Sequence, residues 1–346
     1  MTTAVSRRTF AGMLGAIGIA GLAGCSGSGS SSSASSSSQS AASASGQSAS
    51  ANAGMPRIVV GTLATEDILP LWVARDLGLF DEPDQPDVEI ELFQSATELI
   101  AGVASGTVDA AMTDPMVAAS LVAGGTDLTL EWVTLGTTAE QGRFGIMVGP
   151  NSDAKSLSDL AGVPIGVGTN TILEYVMDRL MADAGIPDDQ VIVEELQKLP
   201  VRFQAMMSGE VAAAALPGSL LALGEAQGCR TIADDTKGEN ISQSVMVART
   251  DMQNNDADPA YAMQLLGKLW DTAVDAINAD PESFRGVLVA NANLSDVVAD
   301  TYPICEYPHA DARPTAEMVD PVLEWMKGKG YLSRPLSYNP ATGAFE

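Results

Sequence analysis

The sequence predicts a two-lobed α/β fold, each lobe a mainly parallel sheet flanked by helices, with two crossover hinge strands joining the lobes. Three observations carry that reading. β-rich runs alternate with helix-period runs over most of the chain, as they do when crossover helices join parallel strands. Part of the pattern occurs twice. Ser105-Gly106-Thr107-Val108-Asp109-Ala110-Ala111 returns 103 residues later as Ser208-Gly209-Glu210-Val211-Ala212-Ala213-Ala214, and Gly61-Thr62 with Gly78 returns at a spacing of 107 as Gly168-Thr169 with Gly185. Finally, the extended runs 144–149 and 244–249 flank the second copy and read as a pair of crossings between the lobes.

The elements follow in order. Residues 57–61, 88–93, 108–112 and 130–135 read as strands of the first lobe, and 163–167, 191–195, 211–216 and 230–233 as strands of the second. A long helix over 258–280 has apolar residues at 261, 265, 266, 269, 273, 274 and 277, with Pro259 in its first turn. Another spans 316–327, opened by Pro314 and stopped by Gly328. The expected division is lobe 1 over 56–146 and 245–346, and lobe 2 over 147–244.

Ahead of the lobes, residues 1–24 read as an export address, with Arg7 and Arg8 as its charged start and 13–24 as a short apolar stretch. That stretch is too short to span a bilayer of about 30 Å. Ser6-Arg7-Arg8-Thr9-Phe10 resembles the twin-arginine export signal, which is read by a translocase for folded proteins. Leu22-Ala23-Gly24-Cys25 resembles a bacterial lipobox, which makes Cys25 the expected lipidation site and the first residue after cleavage. Several acyl chains on one residue hold a protein to a membrane far better than one does. Residues 25–55 are the expected anchored tether, since 15 of the 29 residues from 26 to 54 are serine and nothing there can form a core. A coil of that composition spans about 30 Å root-mean-square.

Composition removes several function classes. Without Arg7 and Arg8 the 18 basic residues become 16, against 44 acidic ones, so the mature chain carries a formal charge of −28. Nucleic acid and bare anionic membrane are therefore poor partners. The only histidine, His309, lies in a proline-rich stretch near the end, which rules out His-based triads and His-clustered metal sites. Gly166-Val167-Gly168 follows a strand, but Thr171 stands where a dinucleotide fingerprint needs glycine or alanine. No phosphate-cradling Gly-Lys-Ser/Thr loop and no Gly-x-Ser-x-Gly elbow occurs. No enzyme activity, cofactor or metal is expected. Beyond Cys25, Cys229 and Cys305 fit either a disulfide or two free buried thiols.

A ligand of two facing parallel sheets sits where strands end and helices begin. In the first lobe those turns are Thr62-Leu63-Ala64-Thr65-Glu66, Gln94-Ser95-Ala96-Thr97 and Thr113-Asp114-Pro115; in the second they are Thr169-Asn170-Thr171, Pro200-Val201-Arg202 and Leu216-Pro217. Helix capping accounts for Ser95, with Glu98 three residues on, and for Asp114 before Pro115. Three consecutive hydrogen-bonding residues at 169–171 exceed what one cap requires. On the following helix, Thr171, Glu174 and Tyr175 lie opposite the apolar face, which places Tyr175 as a cover over the ligand. Trp72 reads as core. Arg143 and Arg202 suit a carboxylate or sulfonate, or a surface ion pair.

The run Leu69-Pro70-Leu71-Trp72-Val73-Ala74-Arg75-Asp76-Leu77-Gly78-Leu79-Phe80, the Ser-Gly-Thr-Val-Asp run ending at Asp109, and Ser158-Asp159-Leu160-Ala161-Gly162 together resemble the binding proteins for nitrate, alkanesulfonates, taurine and thiamine precursors. The resemblance implies the type II periplasmic-binding-protein fold, closure by hinge bending, and delivery of a small-molecule ligand to an ABC permease and its ATPase by a monomeric binding protein. It also implies ligand contacts at Thr62, Ala64, Thr65, Glu66, Ser95, Asp114, Thr169, Asn170, Thr171, Tyr175, Leu216 and Pro217. The cysteine-rich cluster of the yeast-type pyrimidine-forming relatives is absent. Acidic Glu66, Asp114 and Glu174 suit an amine as well as they suit an anion. A membrane sensor in place of the permease, and after it an enzyme on the same fold, are the alternatives the sequence leaves open.

Overall fold

The structure is a computed structural model and describes residues 55–252, 258–292 and 294–346; the export address, Cys25 and the serine-rich tether lie outside them. Its strands form two sheets. In the first, β1 (Arg57–Leu63) runs parallel to β2 (Asp87–Phe93) and to β3 (Ala110–Thr113). β10 (Ser244–Arg249) lies antiparallel between β3 and β4 (Leu128–Leu135), and the short pair β11 (Tyr338–Asn339) and β12 (Ala344–Phe345) completes a seven-stranded sheet on the far side of β4. In the second, β6 (Pro164–Val167) runs parallel to β7 (Ile192–Glu195) and β8 (Ala213–Pro217), while β5 (Phe144–Val148) lies antiparallel between β8 and β9 (Arg230–Asp234).

The duplication read from the sequence is visible in this order. Five strands of the first sheet run β2-β1-β3-β10-β4, and the second runs β7-β6-β8-β5-β9, so each position has its counterpart. Helices match too: α1 (Leu69–Asp76), α2 (Ala96–Ala104) and α3 (Pro115–Ala123) follow β1, β2 and β3, as α4 (Ile172–Asp183), α5 (Leu199–Ser208) and α6 (Gly218–Ala226) follow β6, β7 and β8.

As expected, the five-strand cores are mainly parallel, with only β10 in one and β5 in the other running against the rest; one expectation changes, since 144–148 and 244–249 are these reversed strands inside different sheets and not the crossings themselves. The reason is directional. A chain leaving one sheet at the ends of its parallel strands enters the other sheet at the edge facing it, so its first strand there must run against its neighbours. The crossings themselves are 136–143 and 235–243. They touch where Asn240 Nδ2 donates to the Gly136 carbonyl at 2.7 Å. Gly136 has φ +96°, and a Cβ there would sit 2.3 Å from the Ser242 carbonyl oxygen, so no other residue fits.

The core divides by sheet face. Ile58 and Val60 of β1 point to α1, α7 (Pro259–Ala279) and α8 (Arg285–Asn291), where Trp72 and Trp270 are fully buried, in line with the core role expected of Trp72. Val59 and Ala111 point the other way, into a cluster that continues without interruption through α3 and α9 (Ala316–Lys329) to Ile146, Tyr175 and Met181 of the second sheet and its helix α4. A smaller cluster lies under α5 and α6. In α7 the apolar positions read from the sequence are buried except Tyr261, which is 45% exposed. Helix α9 runs through Gly328 and ends at Gly330, whose φ of +76° makes the left-handed cap. Cys229 and Cys305 are free thiols.

Candidate interlobe binding site

A partly open cavity of about 70 Å³ lies where the two sets of strand-to-helix turns face each other. From the seven-stranded side it is lined by Leu63, Thr65, Asp67, Met112, Asp114 and Ser244, and from the five-stranded side by Phe144, Thr171, Ile172, Gln197, Arg202 and Pro217. Such a volume is well below the several hundred Å³ of a drug-sized pocket. It suits a solute of a few heavy atoms, and a larger one requires the lobes to be held further apart.

Asp114 is the hinge of the polar arrangement. Its Oδ1 accepts the Val117 N–H at 2.8 Å, capping α3, while its Oδ2 accepts the Ile172 N–H of α4 from the opposite side of the cavity at 3.2 Å. Burial pushes its carboxyl up to about 6, against the pull of those N–H groups. Asp67 accepts from Ser244 Oγ, and burial raises it too. Behind it, Tyr302 donates to Glu66 Oε1, Tyr307 donates to the Glu66 carbonyl at 2.8 Å, and burial with the adjacent Asp67 charge raises the Glu66 carboxyl.

Arg202 supplies the one guanidinium of the cavity wall. Its Nε, Nη1 and Nη2 donate to the carbonyls of Leu196, Ala215 and Gln197 at 2.8, 2.9 and 3.2 Å, and among the described residues it has no ion pair. Burial lowers its pKa to about 10. The side chain is a buried cation fixed by main-chain oxygens, with its charge left uncancelled by contact. Gln197 Oε1, also on the wall, is buried and has no hydrogen-bond partner among the described residues.

Of the residues singled out from the sequence, Thr65, Asp114, Thr171, Arg202 and Pro217 line the cavity, and Thr62, Ala64, Glu66, Ser95, Thr169, Asn170, Tyr175 and Leu216 do not. Thr62 is buried at the end of β1 and bonds its neighbour's carbonyl; Ser95 caps α2 by accepting the Glu98 N–H at 3.2 Å. Leu216 lies inside β8. Asn170 takes a left-handed φ of 56° and reaches across to Ser120 Oγ at 2.6 Å. Tyr175 is 2% exposed and packed edge-on against Trp325 of α9, with ring centroids 5.4 Å apart. The face of α4 opposite its sheet is thus covered, by a helix about 150 residues away in sequence. Arg143 forms ion pairs with Glu225 and Asp234. Asp67 and Ser244 were not singled out; Asp67 follows Glu66 in the same turn, and only the return of β10 brings Ser244 beside it.

A larger open cavity, about 980 Å³, lies between β4, β10 and α7, with Glu131, Asp271, Lys268 and Arg313 at its edge. It is on the side where the parallel strands begin, away from the facing turns.

Two mixed α/β sheets joined by two crossings and enclosing a cavity between their helix-opening turns define the periplasmic-binding-protein fold. The chain belongs to the NMT1/THI5 like family, whose model matches residues 65–282. Among solved structures it is similar to the alkanesulfonate-binding protein SsuA from Xanthomonas axonopodis pv. citri bound to MOPS, with TM-score 0.68 and 16% identity over 81% of this chain and 96% of that one. The ligand-binding component of an ABC-type import system from Staphylococcus aureus, with zinc bound, has TM-score 0.68 and 15% identity over 83% and 97%. The nitrate-binding protein NrtA from Synechocystis PCC 6803 has TM-score 0.63 and 13% identity over 81% and 83%. No match is found among curated protein sequences.

Proposed function

We propose that this chain is an exported, lipid-anchored solute-binding protein that captures a small organic or oxyanion solute between its lobes and delivers it to an ABC permease and its ATPase, without catalysing a reaction. The observation that carries the reading is the cavity whose wall is shared by both sets of turns and bridged by Asp114. A solute touching both walls favours the closed arrangement by its differential affinity for the two states. The contacts we assign are Thr65, Asp67, Asp114, Thr171, Gln197 and Arg202, with the two crossings, 136–143 and 235–243, as the hinge. Similarity to binding proteins for alkanesulfonate and nitrate supports the class of function.

The twin-arginine motif supports export, the Leu-Ala-Gly-Cys25 motif supports anchoring outside the cytoplasmic membrane, and the serine-rich tether leaves a monomeric body free to meet its permease. Among the described residues no helix is long and apolar enough to cross a membrane. The test is a thermal-shift screen of the purified protein against sulfonates, oxyanions, amino acids, amines and pyrimidines, since binding to the native state raises the melting temperature by mass action. A solute that raises it, and fails to do so with Asp114→Ala, supports the reading. A screen in which no class shifts the melting temperature counts against it.

A further inference from the structure

The carboxylate of Glu174, on the face of α4 turned away from its sheet, is 1% exposed and is held both by its own turn and by groups from the C-terminal helix. Tyr331 donates its hydroxyl to Glu174 Oε1 at 2.8 Å and lies 2.9 Å from Oε2, and Lys329 Nζ is 3.2 Å from Oε1. One turn further along α4, Asp178 Oδ2 accepts Trp325 Nε1 at 2.8 Å and pairs with Lys329 at 2.7 Å. Trp325 stacks edge-on with Tyr175 on one side and with Tyr331 on the other. All three donors belong to α9 and the residues just after it, and α9 packs on α3 and β11 of the seven-stranded half.

The same carboxylate also holds the turn that precedes α4. Glu174 Oε2 accepts the Asn170 N–H at 2.7 Å, which holds Asn170 in its left-handed conformation. Residue by residue, that turn leads into Thr171 and Ile172, both lining the cavity, and Ile172 is the residue whose N–H reaches Asp114.

We infer that Lys329, Trp325 and Tyr331 form a clasp on Glu174 and Asp178 that holds the lobes closed from outside the cavity and, through the turn at Asn170, positions Thr171 and Ile172 of its wall. These are positioning residues: none touches the cavity. The clasp rests on the two-lobed binding reading for its purpose, but it acts in the absence of solute. It sets how much of the closed form is populated beforehand, and so scales affinity for whatever binds without contacting it.

The test needs no solute and uses the purified full-length protein. Trp72, Trp132 and Trp270 are buried at 1%, 2% and 0% exposure within the seven-stranded half, so a change in tryptophan emission on opening reports Trp325. In the double variant Lys329→Met, Tyr331→Phe, the loss of the two groups facing Glu174 lowers the closed-to-open ratio about tenfold. The expected result is red-shifted, more quenchable emission and a larger radius of gyration by small-angle scattering, with unchanged far-ultraviolet circular dichroism. Lys329→Arg, which keeps the charge, stays compact. If the double variant does not fold, Tyr331→Phe alone, which removes one hydroxyl, is read in the same way. A lowered melting temperature with emission and scattering like the parent's overturns the clasp. Failure of the solute-binding reading shows separately, as the absence of any thermal shift in the parent.

Discussion

Asp114 and Ile172 are 58 residues apart and belong to different lobes, yet the carboxylate of the first accepts the main-chain N–H of the second at 3.2 Å. One side chain therefore opens two helices, α3 by a local cap and α4 by a bond across the cleft. Asp114→Ala is expected to cost about 1 kcal/mol from the local cap alone, read as a lower urea midpoint, and to expand the protein in small-angle scattering. Asp114→Asn keeps a capping oxygen and should recover most of the stability.

Acidity follows from the same carboxyl. Asp114 rises from 3.8 in the unfolded chain to about 6, and Asp235, buried beside Ser242 and the Phe144 N–H, rises likewise to about 6. Below about pH 4 both states hold these protons. Between about pH 4 and 6 the unfolded chain releases them while the folded one keeps them, so stability falls as pH rises through that window and stays lower above it, by on the order of 3 kcal/mol for each group. Burial of Glu66 and Asp67 acts in the same direction. Denaturant unfolding at half-unit pH steps should show the decline, and Asp114→Asn should flatten part of it.

Gly218 opens α6 where the lobes touch. A Cβ there would lie 2.6 Å from Tyr302 Oη and 2.7 Å from Glu66 Oε1. Alanine favours the helix but obstructs the approach, so Gly218→Ala should leave circular dichroism unchanged, enlarge the radius of gyration, and weaken binding of any solute found by thermal shift.

Arg202 joins three carbonyl groups of the five-stranded half. Arg202→Met leaves those acceptors buried without donors and should destabilise the protein by about 3 kcal/mol in urea. Arg202→Lys cannot span three acceptors with one ammonium and should restore little.

Cys25→Ser removes the acyl acceptor of the lipobox motif. The variant should appear in the soluble fraction of lysed cells, and continued membrane association would falsify the anchoring assignment.

How much of this was legible in the sequence depends on the range of the interaction concerned. The eight strands flanking the repeat, α7 and most of α9 follow from local patterns, and their positions agree to within a few residues. Asp114 was legible as a cap because Asp-Pro is a local signal; its second bond, to Ile172, was not. For Tyr175 the helix wheel shows which face of α4 is apolar but not that Trp325 packs against the other face. The pair β11 and β12 has two residues per strand, too few to show any period. Asp67 and Ser244 meet only through the sheet, 177 residues apart in sequence.

The exchange of β5 and β10 between sheets bears on how the protein is made. Residues 144–234 contain every strand of the five-stranded sheet in one continuous piece, whereas β4 finds its neighbours only in β10 and β12. A nascent chain that has reached residue 135 therefore carries a buried-type strand with both edges bare, and the N-terminal half stays unfinished until synthesis has passed residue 249. On the export route proposed above, a translocase that accepts only folded proteins would spare the chain from being threaded across a membrane in that state.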